Sequence, residues 1–240
     1  MNTSTIKKSI LVAIPVLLVA AIINPMSADA ATTPRHITVN AEGTVKVTPD
    51  AVRINATATS IALTNKLALS QVATTATALR AALKTSGIAV KDIATQSVTA
   101  YPEYNYTNDK GAVLVGYRAT QSFTIVVRNA SNAGAVVDAI VAAGGDSLQV
   151  NGVSPFVLDA SKATEAARAA AVKNAKAKAT SYAKLLGVKL GRVDFLTETS
   201  SPSISRPEYV ASSKEMSADA TVIDLGEQDV TVTITIRWSL

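Results

Sequence analysis

The sequence predicts an α+β fold: a mixed or antiparallel sheet with hairpins, packed against two long helices and one short one. Two observations carry that reading. Several segments alternate apolar and polar residues, most plainly Val230, Val232, Ile234, Ile236 and Trp238, which puts one side of a strand on a core. Three others space their apolar residues by three and four, and each runs into glycine, at Gly87, Gly144-Gly145 and Gly187, where a helix ends in a left-handed turn.

Ahead of these elements Lys7 and Lys8 precede the apolar run Ile10 to Ile23, and Ala28-Asp29-Ala30 follows. A basic start, an apolar stretch too short to favour a spanning helix, and small residues at 28 and 30 make residues 1–30 a secretory signal peptide, expected to be cleaved after Ala30. An uncleaved anchor and a buried first helix are the alternatives. Residues 31–240 are read as a single exported domain, periplasmic, in the cell envelope or secreted. Nothing beyond the signal is apolar over enough residues to span a bilayer as a helix. The chain has no cysteine, so it forms no disulfide and carries no acylated cysteine. Loss of Lys7, Lys8 and Asp29 lowers the formal charge from +5 to +4, a diffuse basic balance that argues against nucleic-acid binding.

Strands are expected over Ile37 to Val47 and Ala51 to Leu63, turning at Pro49-Asp50, where proline presets φ and the aspartate accepts a local N–H. From Asn65 to Ser86, Leu69, Val72, Ala76, Leu79 and Leu83 mark the buried face of a helix that ends at Gly87. Ile93 to Tyr106 and Val113 to Arg128 form a hairpin around Thr107–Gly111, with Phe123, Ile125 and Val127 facing inward. A short helix over Ser131 to Ala143 and a strand over Leu148 to Leu158 follow. The longest helix is capped by Asp159 or Ser161 and runs to Leu186, with alanines at 163, 167, 170, 171, 175 and 179 permitting close approach to a sheet. A strand at 192–198 precedes a long mobile loop over 199–219, rich in serine, proline and charge. Val230 to Trp238 closes the chain as a strand, expected to present an unpaired edge to a second subunit.

Chemistry is sparse. His36, the one histidine, lies close to the expected mature start, a poor place for a triad base. No histidine and cysteine cluster exists for zinc, no glycine-rich phosphate loop for nucleotides, and no DxDxDG loop for calcium, so no cofactor or metal is expected. Two surface features remain. Tyr101, Tyr104, Tyr106 and Tyr117 gather four of the six tyrosines on one hairpin, where large amphipathic side chains suit either a binding surface or cross-strand pairing. Lys162, Lys173, Lys176 and Lys184 fall on one stripe of the longest helix, a solvated basic face or a surface for an acidic partner. Lys173 and Lys176, with the tyrosines, are the candidate binding residues. Lys178 falls on the alanine-rich side, where it must snorkel or meet a carboxylate.

Several pieces in order then resemble a known family. They are Ile37-Thr-Val with Glu42-Gly43 through Pro49-Asp50, Gly87-Ile88 with Lys91-Asp92-Ile93, Gly116-Tyr117-Arg118-Ala119, and Ala175 to Gly191. Together they are similar to the SIMPL domain family (domain of unknown function 541) of bacterial periplasmic proteins. The family's usual second glycine is replaced by Ala41. The resemblance implies an α+β envelope domain that self-associates, members linked to oxidative-stress defence and immunogenicity, and no established enzymatic activity. Gly43, Pro49, Asp50, Gly116, Tyr117 and Arg118 match the pattern as structural residues.

Two functional expectations follow. One is a non-enzymatic envelope protein that forms a homo-oligomer, with a further envelope protein as a possible partner. The other is a monomeric or dimeric binding module that uses the tyrosine hairpin or the basic helix face.

Overall fold

The computed structural model describes residues 35–107, 111–199, 203–205 and 221–240. Eight strands and three α-helices make two antiparallel sheets, each backed by helix. The first sheet holds β1 (His36–Val47), β8 (Gln228–Ser239) and β6 (Val193–Glu198) in that order, with β7 (Ser203–Ser205) also beside β8. The second runs β3 (Ile93–Thr107), β4 (Gly111–Val127), β2 (Ala51–Ala62), β5 (Leu148–Phe156). Helices α1 (Asn65–Thr85) and α2 (Ala133–Gly144) pack on the second sheet, and α3 (Ser161–Leu185) on the first.

The α+β class stands, with two sheets in place of one. β1 and β2, read as neighbours around a turn, lie in different sheets: β1 pairs with β8, and β2 with β4 and β5. Asp50 serves that crossing. Its carboxylate accepts from the backbone of Leu158 at 2.8 Å and its carbonyl from Ala130 at 3.1 Å, so a residue read as local turn chemistry ties together segments distant in the chain.

The second sheet's core is built from long side chains. Val52 and Ile54 on β2 and Phe123, Ile125 and Val127 on β4 are fully buried against Val72, Leu79 and Leu83 of α1 and Val136 and Ile140 of α2. Thr64 caps α1 by accepting from Leu67 N at 3.2 Å, and Gly87 follows the helix at φ 78°. The buried face of α1 begins at Ala68, whereas Leu69 is exposed. Ala68 lies one ridge step of four before Val72, and Leu69 is rotated about 60° away at 100° per residue.

The first core uses small residues on one side. Ala167, Ala171, Ala175, Ala179 and Ala183 form a buried ladder of spacing four along α3, facing Val230, Val232, Ile234, Ile236 and Trp238 of β8 and Ile37 and Val39 of β1. Alanine stubs let the helix settle close to the strands. At Gly43 the contact is backbone to backbone: a Cβ there would fall on the carbonyl oxygen of Ala167 and the nitrogen of Ala171. Asp159 accepts from Ser161 N at 2.9 Å and from the Ser161 hydroxyl just ahead of α3, but the N-cap position falls on Ala160, which makes no side-chain capping bond, so neither Asp159 nor Ser161 is the cap.

β8 is not an edge. It pairs with β1 along its whole length and with β6 and β7 on its other side. Alternation reports which face is buried, and it is silent about whether either edge is paired. The segment expected to be a loop over 199–219 contributes β7, and residues 200–202 and 206–219 lie outside the described residues.

The two halves are joined by the chain entering β8. Thr221 bonds to Asp138 of α2 through its hydroxyl (2.6 Å) and its N–H (3.2 Å), and Ile223 and Leu225 lie against the second sheet's core. Buried Gln228 then donates to the carbonyl of Pro155 on β5 at 2.8 Å. Among the described residues no helix is long and apolar enough to cross a membrane.

Candidate functional site: a projecting hairpin

β2 ends at Ala62, opposite Tyr117 of β4. Beyond that point, among the described residues, β4 has only β3 beside it, so residues 102–107 and 111–116 continue as a two-stranded ribbon. At about 3.3 Å per residue the ribbon extends roughly 20 Å past the sheet. Gly116 sits at its root because a Cβ there would lie 2.7 Å from the carbonyl oxygen of Ala62. Tyr117 and Ala100 are packed on the core, anchoring the ribbon from within.

The register sorts the ribbon's faces. Tyr101 is opposite Arg118, Glu103 opposite Gly116, and after a bulge Tyr104 is opposite Leu114 and Tyr106 opposite Ala112. Directly paired residues share a face, and the bulge falls on β4, where Val115 has no partner, so the alternation of β3 runs on and puts Tyr104 and Tyr106 on the face opposite Tyr101 and Glu103. The face of Tyr101 carries one ion pair: Arg118 donates through Nε and Nη2 to the two carboxylate oxygens of Glu103, both at 2.7 Å. These bonds hold the Glu103 carboxyl below its ordinary pKa. Val113, opposite Asn105, lies on the face of Tyr101 and Glu103, and Leu114 on the face of Tyr104 and Tyr106.

Little of this apolar surface is covered. Tyr101 and Tyr104 are each 46% exposed, Tyr106 77%, and Val113, Leu114 and Val115 between 44% and 49%. At 150–250 Å² per aromatic side chain, the three tyrosines leave about 250–400 Å² accessible over the two faces. A free two-stranded ribbon with both faces apolar is marginal in water.

Of the tyrosines singled out from sequence, Tyr104 and Tyr106 share one face of the exposed ribbon, Tyr101 lies on the other face just before its root, and Tyr117 belongs to its anchor. Lys173 and Lys176 are exposed on α3, which packs on the other sheet, so the lysine stripe and the tyrosines do not form one site. Lys178 snorkels: its Nζ donates to the backbone carbonyl of Asn40 at 3.1 Å. His36 opens β1 opposite Ser239, where Leu240 N also bonds to Arg35 O, so it stands in a paired strand and not at a frayed end. Sequence reading missed Val113, Leu114 and Val115. Their signal was present: Ala112 to Val115 is a run of consecutive apolar residues that no half-buried strand can hide on one face.

Among the described residues no group of three or more histidine, aspartate or glutamate side chains is placed to hold a metal ion. Buried Asp92 is occupied by Arg128, which donates through Nε (2.8 Å) and Nη2 (2.7 Å) and joins the start of β3 to the end of β4.

Curated relatives share most of this architecture's length. The chain is 30% identical over 221 residues to the 26 kDa periplasmic immunogenic proteins of Brucella melitensis and Brucella abortus, covering 87% of this chain and 86% of each relative. It is also 30% identical to the uncharacterised protein YggE of Escherichia coli K12 over 66% of this chain and 63% of that protein. The family model SIMPL, described as a protein of unknown function (DUF541), matches residues 37–238, β1 to the end of β8, and the chain belongs to that family.

Proposed function

We propose that this is a non-enzymatic, exported cell-envelope protein that self-associates through the β3–β4 ribbon. In this reading residues 1–30 direct export and are removed after Ala30, and residues 31–240 fold as one SIMPL-like domain. The observation that carries self-association is the ribbon itself, apolar on both faces and free of any covering element among the described residues. A second copy is the occupant it suits, because an obligate contact between copies covers apolar surface permanently. The names of the Brucella relatives support the periplasmic setting. A protective part in envelope or oxidative-stress defence is the role proposed for the assembly.

The absence of cysteine makes a direct test simple. Tyr106→Cys and Lys173→Cys each introduce a single thiol, one on the ribbon and one on exposed α3. With increasing protein concentration a maleimide should label position 106 ever more slowly while labelling of 173 stays constant. Equal rates at both positions over all concentrations would refute the ribbon as the contact.

The binding-module reading has a narrower footing. It requires the ribbon or the Lys173 and Lys176 face to capture another molecule while the protein stays monomeric. Constant labelling of position 106 alone, with slowed labelling only after a partner is added, is the result that would favour it.

A further inference from the structure

β3 is an edge strand, and its open side differs from the open side of β1. On β1 the carbonyls of Asn40 and Glu42 are taken by side chains of α3, Lys178 at 3.1 Å and Asn174 at 2.8 Å. Such side chains block the addition of a further strand. Along β3, residues 94–99 are exposed and uncharged. A bulge leaves Gln96 without a partner on β4, and Pro102 lacks an N–H, so the regular open edge is Ser97 to Tyr101.

Beside the Ile93 end of this edge runs a groove of about 340 Å³ between β3 and α1. Ala81, Val90 and Ile93 supply apolar walls, and Arg80 and Lys84 stand on the helix side. Arg80 is fixed there: its Nη2 donates to Thr95 at 3.0 Å and its guanidinium lies over the ring of Phe123, 4.9 Å from the centroid. Among the described residues no acidic side chain lines the groove. An edge strand next to a helix, with a pocket at one end, is the arrangement by which a sheet accepts an extended peptide: main-chain hydrogen bonds give affinity and the pocket gives specificity.

We infer that the groove between β3 and α1 binds an extended carboxy-terminal peptide with an apolar last side chain. Antiparallel addition to Ser97–Tyr101 sends the peptide's C-terminus toward Ile93. There its last side chain enters the apolar groove and its carboxylate meets Lys84 and the open side of the Arg80 guanidinium. Charge complementarity selects this occupant over a second β3, which would bring the uncharged edge no anion for the two cations. The site is separate from the ribbon tip and does not depend on self-association.

The test is fluorescence polarisation with the protein starting at Ala31 and a fluorescein-labelled hexapeptide of alternating threonine and valine, ending in valine. The free acid should bind about tenfold more tightly than the same peptide with a C-terminal amide, a gap of about 1.4 kcal/mol. Lys84→Glu, at an exposed position in the last turn of α1, should erase that difference, and Lys84→Gln should reduce it. Tyr106→Asp should leave it unchanged, which separates this site from the ribbon. Equal binding of acid and amide, no binding at millimolar peptide, or insensitivity to Lys84→Glu would overturn the inference. So would strong hydrogen-exchange protection, before any peptide is added, of those Ser97–Tyr101 amides that point away from β4, since a second copy would then occupy the edge.

Discussion

Asp92 is where one residue's chemistry most affects the fold's response to pH. Its side chain is 7% exposed and takes two charge-assisted bonds from Arg128, and these bonds, the largest cause, lower its pKa against the opposing effect of burial. Glu103 and Glu198 are lowered in the same direction by Arg118 and Arg168, but both are 29% exposed and water screens them more. A carboxyl whose folded pKa lies below its unfolded value, about 3.9 for aspartate, adds stability that is complete above that value and is lost as pH falls through the folded pKa. Asp92→Asn should therefore melt at a lower temperature than the parent at pH 7, and the gap should close below about pH 4. Thermal melts followed by circular dichroism between pH 7 and pH 3 measure this. A gap independent of pH would show that Asp92 contributes through shape and not charge. At this scale the sequence was informative where a residue had one local job and less so where it had a distant one. Asp159 bonds to Ser161 two residues on, at the entry to α3, whereas the partners of Asp50 and Asp92 lie far along the chain.

Among the elements, α3 and β1 show how composition becomes geometry. Five buried alanines at spacing four make a flat strip on the helix, and Gly43 is the strand residue whose missing side chain lets the two backbones meet. Gly43→Ala should destabilise the fold by about 1–3 kcal/mol, the usual cost of overpacking a tight contact. Trp238, the only tryptophan and 5% exposed in this same core, reports the change directly. Chemical denaturation followed by its emission should show an earlier midpoint in the variant, and an unchanged midpoint would mean that the contact is looser than described. Helices α1, α2 and α3 were readable because period and terminal glycine agree, and the apolar face of β8 was readable from strict alternation. Strand neighbours were not. The alternation of β8 is the same for a central strand as for an edge strand, and nothing local in Pro49-Asp50 says that the chain is changing sheets. The exposed face of the ribbon was half legible: tyrosines drew attention to β3, while Val113 to Val115 reads like core until the end of β2 at Ala62 is known.

For the whole molecule, two helix-backed sheets share one chain and are stitched by Thr221 to Asp138 and Gln228 to Pro155. That arrangement holds the second sheet firmly and leaves its β3–β4 ribbon projecting with apolar residues on both faces. On the proposed function, copies of the chain cover this ribbon for one another. The direct measurement is the solution mass of the protein starting at Ala31, by light scattering over a range of concentration and salt, beside the variant Leu114→Asp. Self-association through the ribbon gives a defined mass several times that of one chain, little affected by salt because the contact is apolar, and a fall to the mass of a single folded chain in Leu114→Asp. A parent protein that is monomeric at every concentration, or a variant that assembles as the parent does, would contradict it.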